Sequence, residues 1–283
     1  MKNRIIWIDW AKALGIMIVV FCHIPQEYNF TKYFLGTFQM PLFFMLSGYL
    51  HKYPQNTISE QIKKYWKSLI IPYILFQFIF YPYWLVQQHV QEGLVLTDWV
   101  HAFIIPFAQC IYGIPIDGVT WFIFALIITK IIADIVLKSR YSAYIIILLC
   151  SISFVLAWII SKDDVVNISF AMDSLFNFFP FFFVGYYLKA FKLIKEEKFG
   201  KCLMKAYAFF AISTLFISIS FKNDNYLLYR IAFYVLGLSG SFFLINICKM
   251  FSHCPGFIQT VSIGNIIILG FHWMFIGTTI FIL

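Results

Sequence analysis

Nine largely apolar stretches recur along the chain, at 5–24, 34–51, 68–87, 118–137, 141–161, 170–189, 203–221, 226–247 and 257–282. Each is close to the roughly 20 residues that a bilayer-crossing helix needs. A chain that repeats such stretches from end to end can bury them only in lipid or against one another. The runs are nearly continuous in apolar residues, whereas barrel strands alternate apolar and polar positions, so a β-barrel does not fit. The expected fold is all-α: a polytopic transmembrane helical bundle of nine to ten spans, forming one membrane domain over 1–283. A further apolar piece at 102–112 is too short to span and contains Pro106, which suits a re-entrant or interfacial segment.

Composition excludes the alternatives. Apolar residues make up 61% of the chain and charged residues 12%, against roughly 45–50% and about 25% in soluble domains. A cytosolic enzyme, a disordered chain, a secreted disulfide scaffold and a nucleic-acid module are all ruled out, and no nucleic-acid partner is expected. The six cysteines form no CxxC and no His/Cys set with zinc spacing, so neither a metal site nor a disulfide framework is expected. Asp9 and Lys12 interrupt the first run and no A-x-A site follows, so that run reads as a retained span, not a signal sequence.

The net charge of +8 is a matter of topology. With the N-terminus inside, 15 of the 21 Lys and Arg fall on the inner side and four on the outer, with Lys12 and Lys130 inside spans. The acids Glu27, Glu92, Asp98, Asp117, Asp163, Asp164 and Asp224 lean outward. This is the positive-inside pattern with a cytoplasmic N-terminus, and an odd count of nine places the C-terminus outside.

Ionisable groups inside a span are costly and are usually functional. The first span carries Asp9, Lys12 and His23. At 100° per residue, the 11-residue step from Lys12 to His23 ends about 20° past three turns and about 16 Å along the axis. Asp9 falls within about 60° of both, so one polar stripe runs along an apolar helix. The bland alternative is an interfacial Asp9–Lys12 pair with a snorkelling lysine, His23 marking the end of the span. The second span reads FQMPLFFMLSGY over 38–49, with Gln39 near the depth of His23 and Ser47, Gly48 and Tyr49 at the other end. Antiparallel spans would bring Gln39 and His23 close, and the Ser-Gly pair would allow close helix approach.

Asp9, Lys12 and His23 at this spacing, followed by FQMPLFFMLSGYL, resemble the acyltransferase 3 family of integral-membrane acyltransferases, and within it the branch resembling fucose 4-O-acetylases. Further likeness lies in Thr120-Trp121-Phe122, in FNFFPFFFVGYYLK at 176–189 and in SIGNIIILGFHW at 262–273. Two departures stand out. Gln39 occupies a position where many relatives have His, and nine runs are found where family members generally have ten spans. Either a tenth involves 102–112 or the last is absent.

The resemblance implies transfer of an acyl group, usually acetyl, from acyl-CoA to a hydroxyl of a cell-surface sugar or lipid-linked glycan precursor. It implies acetyl-CoA as donor substrate, no permanently bound cofactor, and residence in a bacterial inner membrane. Lys52, Lys63, Lys64 and Lys67 would attract the coenzyme A phosphates, or only satisfy the positive-inside bias. His23 is the candidate general base, since imidazole titrates near neutral pH, or else the carrier of an acyl-His intermediate. Lys12 would contact the phosphates or the oxyanion, or neutralise Asp9. Asn265 and His272, seven residues apart, share a helix face. They, with Gln39, Ser47, Tyr49, Trp121 and Arg230, are candidate substrate contacts. Packing, snorkelling or an interfacial aromatic belt would explain His272, Arg230 and Trp121 equally. Asn177 and Pro180 would bend the sixth span or line a cavity. The rival reading is a transporter or flippase of lipid-linked sugars; the internal repeat such proteins often show is not found. A third is a non-catalytic membrane scaffold.

Overall fold

The computed structural model describes residues 4–25, 27, 29–55, 57–90, 100–111, 116–162, 172–220 and 225–282. Among them there is no strand. In chain order the helices are α1 (Ile6–His23), α2 (Phe30–Leu50), α3 (Ile58–Tyr65), α4 (Ile71–Val90), α5 (Ile105–Ile111), α6 (Trp121–Val136), α7 (Ser142–Lys162), α8 (Met172–Ala190), α9 (Phe199–Ser220), α10 (Tyr226–Cys248), α11 (Gly256–Ile263) and α12 (Asn265–Ile282). Short π-helical turns at Trp66–Ile70 and Val100–Ile104 precede α4 and α5, and a 3-10 turn at Gly118–Thr120 precedes α6.

Six helical stretches among the described residues are long and apolar enough to cross a membrane. A seventh is the pair α11 and α12, bent by 81° at Gly264. The protein is a multi-pass membrane protein. Of the nine runs read from sequence, the second and sixth became α2 and α8. These have sufficient length, 21 and 19 residues, but fall short in apolarity. The reason is physical: both bury much of their length in protein, and a helix shielded from lipid tolerates Gln, Ser, Asn and Gly. The 102–112 piece is helical over its described part, as the turn Val100–Ile104 plus α5. It packs on α4 through Phe78–Phe107 at 4.8 Å and a hydrogen bond from Tyr81 to the Ala102 carbonyl. Of the loop charges used for orientation, Lys2, Glu92, Asp98, Asp163, Asp164, Lys222 and Asp224 lie outside the described residues.

The chain divides into two compact units. The first comprises Met1–His51, Val155–Asp164 and Phe178–Leu269. Within it α10 packs on α9 and α2, and α1 on α2, α10 and α11. Glycine sets the closest approach. A Cβ on Gly48 of α2 would strike the Phe182 carbonyl of α8, and one on Gly185 of α8 would strike the Met45 carbonyl of α2. On α10 a Cβ at Gly237 would meet the Phe181 ring at 2.6 Å and Pro41 at 2.9 Å. Phe38, Phe44, Phe181 and Phe182 are fully buried around these contacts.

The second unit comprises Lys52–Phe154, Val165–Asn177 and Gly270–Leu283. Polar side chains pair in its interior. Tyr65 donates a 2.6 Å hydrogen bond to Asp134. Gln77, Asp117 and Thr120 close a ring. In it the Asp117 backbone N–H donates to Gln77 Oε1, Gln77 Nε2 donates to Thr120 Oγ1 at 2.7 Å, and Thr120 Oγ1 donates to the Asp117 carbonyl.

Candidate active site

The end of α1 is set by Pro25. The residue before a proline is pushed out of helical conformation, and Ile24 is extended at φ −64°, ψ 126°. His23 is therefore the last helical residue, and its Nδ1 lies 2.7 Å from the Val19 carbonyl. A carbonyl can only accept, so Nδ1 carries a proton. The chain then returns into α2. Asn29 caps that helix by accepting from the Lys32 backbone N–H at 2.9 Å, and Lys32 Nζ reaches back 2.9 Å to the Ile24 carbonyl.

This turn places one wall of a cavity of about 370 Å³ within the first unit. Cys22 and His23 come from the end of α1. Lys32, Tyr33, Gly36, Thr37 and Gln39 come from successive turns of α2, and Tyr229, Phe233 and Leu236 from one face of α10. Lys32 is the one Lys or Arg among these lining residues, which include no carboxylate. Gln39 Oε1 is buried and has no hydrogen-bond partner. Arg230 is buried one turn before Phe233, with its guanidinium carbon 5.9 Å from the Phe233 ring centre. A basic nitrogen, an amide oxygen lacking a donor and phenolic hydroxyls therefore share one space with a cation. That set can receive a hydroxyl compound and take up its proton.

The expected residues divide. His23 and Gln39 line the cavity, and Arg230 stands behind its Phe233 wall. Asp9 lies at the opposite end of α1, where Arg4 Nε approaches Oδ2 at 3.2 Å and Ser262 donates to Oδ1 at 2.7 Å. Arg4 also donates to Gln259, so this cluster clasps α1 to α11. Lys12 is half-buried and is not part of the cavity wall. Ser47 is half-buried about two turns beyond Gln39, and Tyr49 sits edge-on to Trp7 at 5.1 Å. Asn265 opens α12 at the bend after Gly264. Trp121 (half-buried) and His272 (buried) belong to the second unit. Asn177 and Pro180 lie inside α8.

Sequence reasoning did not pick out Tyr33, Thr37, Tyr229 or Phe233, and counted Lys32 only as a loop charge. The available signal was helical spacing: 32, 33, 36, 37 and 229, 233, 236 each mark one face of a helix beginning at an Asn cap.

A family model described as an acyltransferase domain matches residues 5–281. No curated protein and no solved structure matches the chain. The match takes in the described parts of both units, and the all-helical multi-pass architecture agrees with it: this chain belongs to the acyltransferase 3 family of membrane acyltransferases.

Proposed function

We propose that the protein is an O-acyltransferase of the bacterial inner membrane. It moves an acetyl group from acetyl-CoA to a hydroxyl of a cell-surface sugar or lipid-linked glycan precursor, in the manner of the branch resembling fucose 4-O-acetylases. Its N-terminus is cytoplasmic. The observation that carries the reading is the pairing, in one cavity, of His23 with its Nδ1–H committed to Val19 and of Gln39 with a buried oxygen awaiting a donor.

In this mechanism the acceptor hydroxyl donates to His23 Nε2 while Gln39 Oε1 accepts from a neighbouring hydroxyl of the same sugar. Nε2 removes the proton as the hydroxyl oxygen attacks the thioester carbonyl. The tetrahedral intermediate collapses with cleavage of the C–S bond, the thiolate leaves, and the imidazolium returns the proton to sulfur. Fixing Nδ1–H on a backbone carbonyl orients the ring and supports the imidazolium as it forms. Lys12, lower on the same helix and outside the cavity wall, serves the coenzyme A phosphates. Asp9 acts through position, holding the start of α1.

The test is acetyl transfer from radiolabelled acetyl-CoA to glycan in membranes containing the protein or its His23→Ala variant at equal abundance. Label that requires His23 supports the reading; equal labelling by the variant removes His23 from the chemistry. No labelling by either, with sugar carried across the bilayer instead, favours a transporter.

A further inference from the structure

The cavity at His23 has a polarity that base catalysis does not explain. We infer that the acceptor carries a negatively charged group, a phosphate or a carboxylate, seated beside Lys32. This rests on the acyltransferase reading and names the acceptor class for the same site.

Four features of the described wall have one sign. Lys32 supplies a full positive charge, and no Asp or Glu lines the cavity. Its ammonium is held at the wall by the Ile24 carbonyl at 2.9 Å, so the charge has a defined place. The cavity lies against the first turns of two long helices, α2 capped by Asn29 and α10 capped by Asn225, whose N-terminal ends are the positive ends of their dipoles. Arg230 adds a buried guanidinium behind Phe233. Charges of one sign lining a cleft raise the local concentration of an oppositely charged ligand. Tyr33 and Tyr229 add hydroxyl donors suited to phosphate or carboxylate oxygens. A neutral sugar gains nothing from this field, whereas an anionic one is drawn in and oriented with its hydroxyls toward His23.

The experiment uses the whole protein in lipid nanodiscs and one hexose in three forms: unmodified, as its 1-phosphate, and as its uronic acid. Equilibrium binding is measured first, without acetyl-CoA, and then transfer from radiolabelled acetyl-CoA. A charged form binding about tenfold or more tighter than the neutral one is expected, the scale of a charge-assisted hydrogen bond. Lys32→Gln should abolish the preference by raising Kd and KM for the charged form, while Lys32→Arg restores it. Preference for the phosphate points to a phosphorylated sugar or carrier, preference for the uronic acid to an acidic glycan. Equal binding of all three forms, or a preference that survives Lys32→Gln, overturns the inference. Transfer without discrimination discards the anion site and keeps the acyltransferase reading; discrimination without transfer does the reverse.

Discussion

Ser262 Oγ donates a 2.7 Å hydrogen bond to Asp9 Oδ1, joining residues 253 positions apart in the chain. With Arg4 on its other oxygen and only 8% exposure, Asp9 is satisfied by partners at the start of α1. Its stripe-mate His23 faces a cavity at the far end. The polar stripe of one helix therefore serves two places, one that holds the helix and one that opens on a cavity.

Asp9→Ala should lower stability by about 1–3 kcal/mol, because it leaves the Ser262 hydroxyl without its acceptor. Ser262→Ala should cost about 1 kcal/mol, and the double variant less than the sum of the two. Thermal unfolding in detergent reads both, and strictly additive losses would mean that the bond contributes nothing.

His23→Gln should reduce acetyl transfer by about 10²–10⁴-fold while acetyl-CoA still binds. Gln39→Leu removes the unpartnered oxygen and should raise KM for the acceptor about tenfold with a smaller change in kcat. Steady-state kinetics with varied acceptor separates the two effects, and an unchanged acceptor KM in Gln39→Leu would remove the amide from the site.

Gly48→Ala and Gly185→Ala each drive a methyl group into a backbone carbonyl, which cannot rotate away. Each should cost at least about 1–3 kcal/mol and reduce accumulation of folded protein in membranes. Gly200→Ala, early in α9 with nothing within 4 Å of the new Cβ, should instead gain up to about 1 kcal/mol. Similar melting temperatures for all three would contradict the α2–α8 contact.

Burial pushes the Asp117 carboxyl up from an ordinary 3.8 to about 7. The folded protein thus holds this proton more tightly than the unfolded chain. Its contribution to stability is complete below the unfolded value and is lost as pH rises toward about 7. Relative to Asp117→Asn, stability should fall by roughly 1.4 kcal/mol per pH unit across that window. Unfolding at pH 5, 6 and 7 measures the slope, and parallel curves for the two proteins would rule it out.

The all-helical membrane architecture was legible because continuous apolar runs are a local property of the chain. The helix ends at Pro25 and Asn29 were not read in advance, and the second run was placed at 34–51 although the Asn29 cap starts α2 at Phe30, because an apolar run shows where a span is and not where its first turn begins. The motif of the first two spans was enough to anticipate the family and to set His23 and Gln39 at matching depth. The roles of Asp9 and Lys32 were not legible. One depends on Ser262, 253 residues away, and the other on a lysine folding back over the end of the preceding helix. Periodicity states which residues share a face of one helix, but not which faces meet. The meeting of α1, α2 and α10 around His23 was decided by long-range packing, through glycines such as Gly15, Gly237 and Gly240 that leave room for the side chains of Phe43, Pro41 and Phe38, and only that packing makes a cavity.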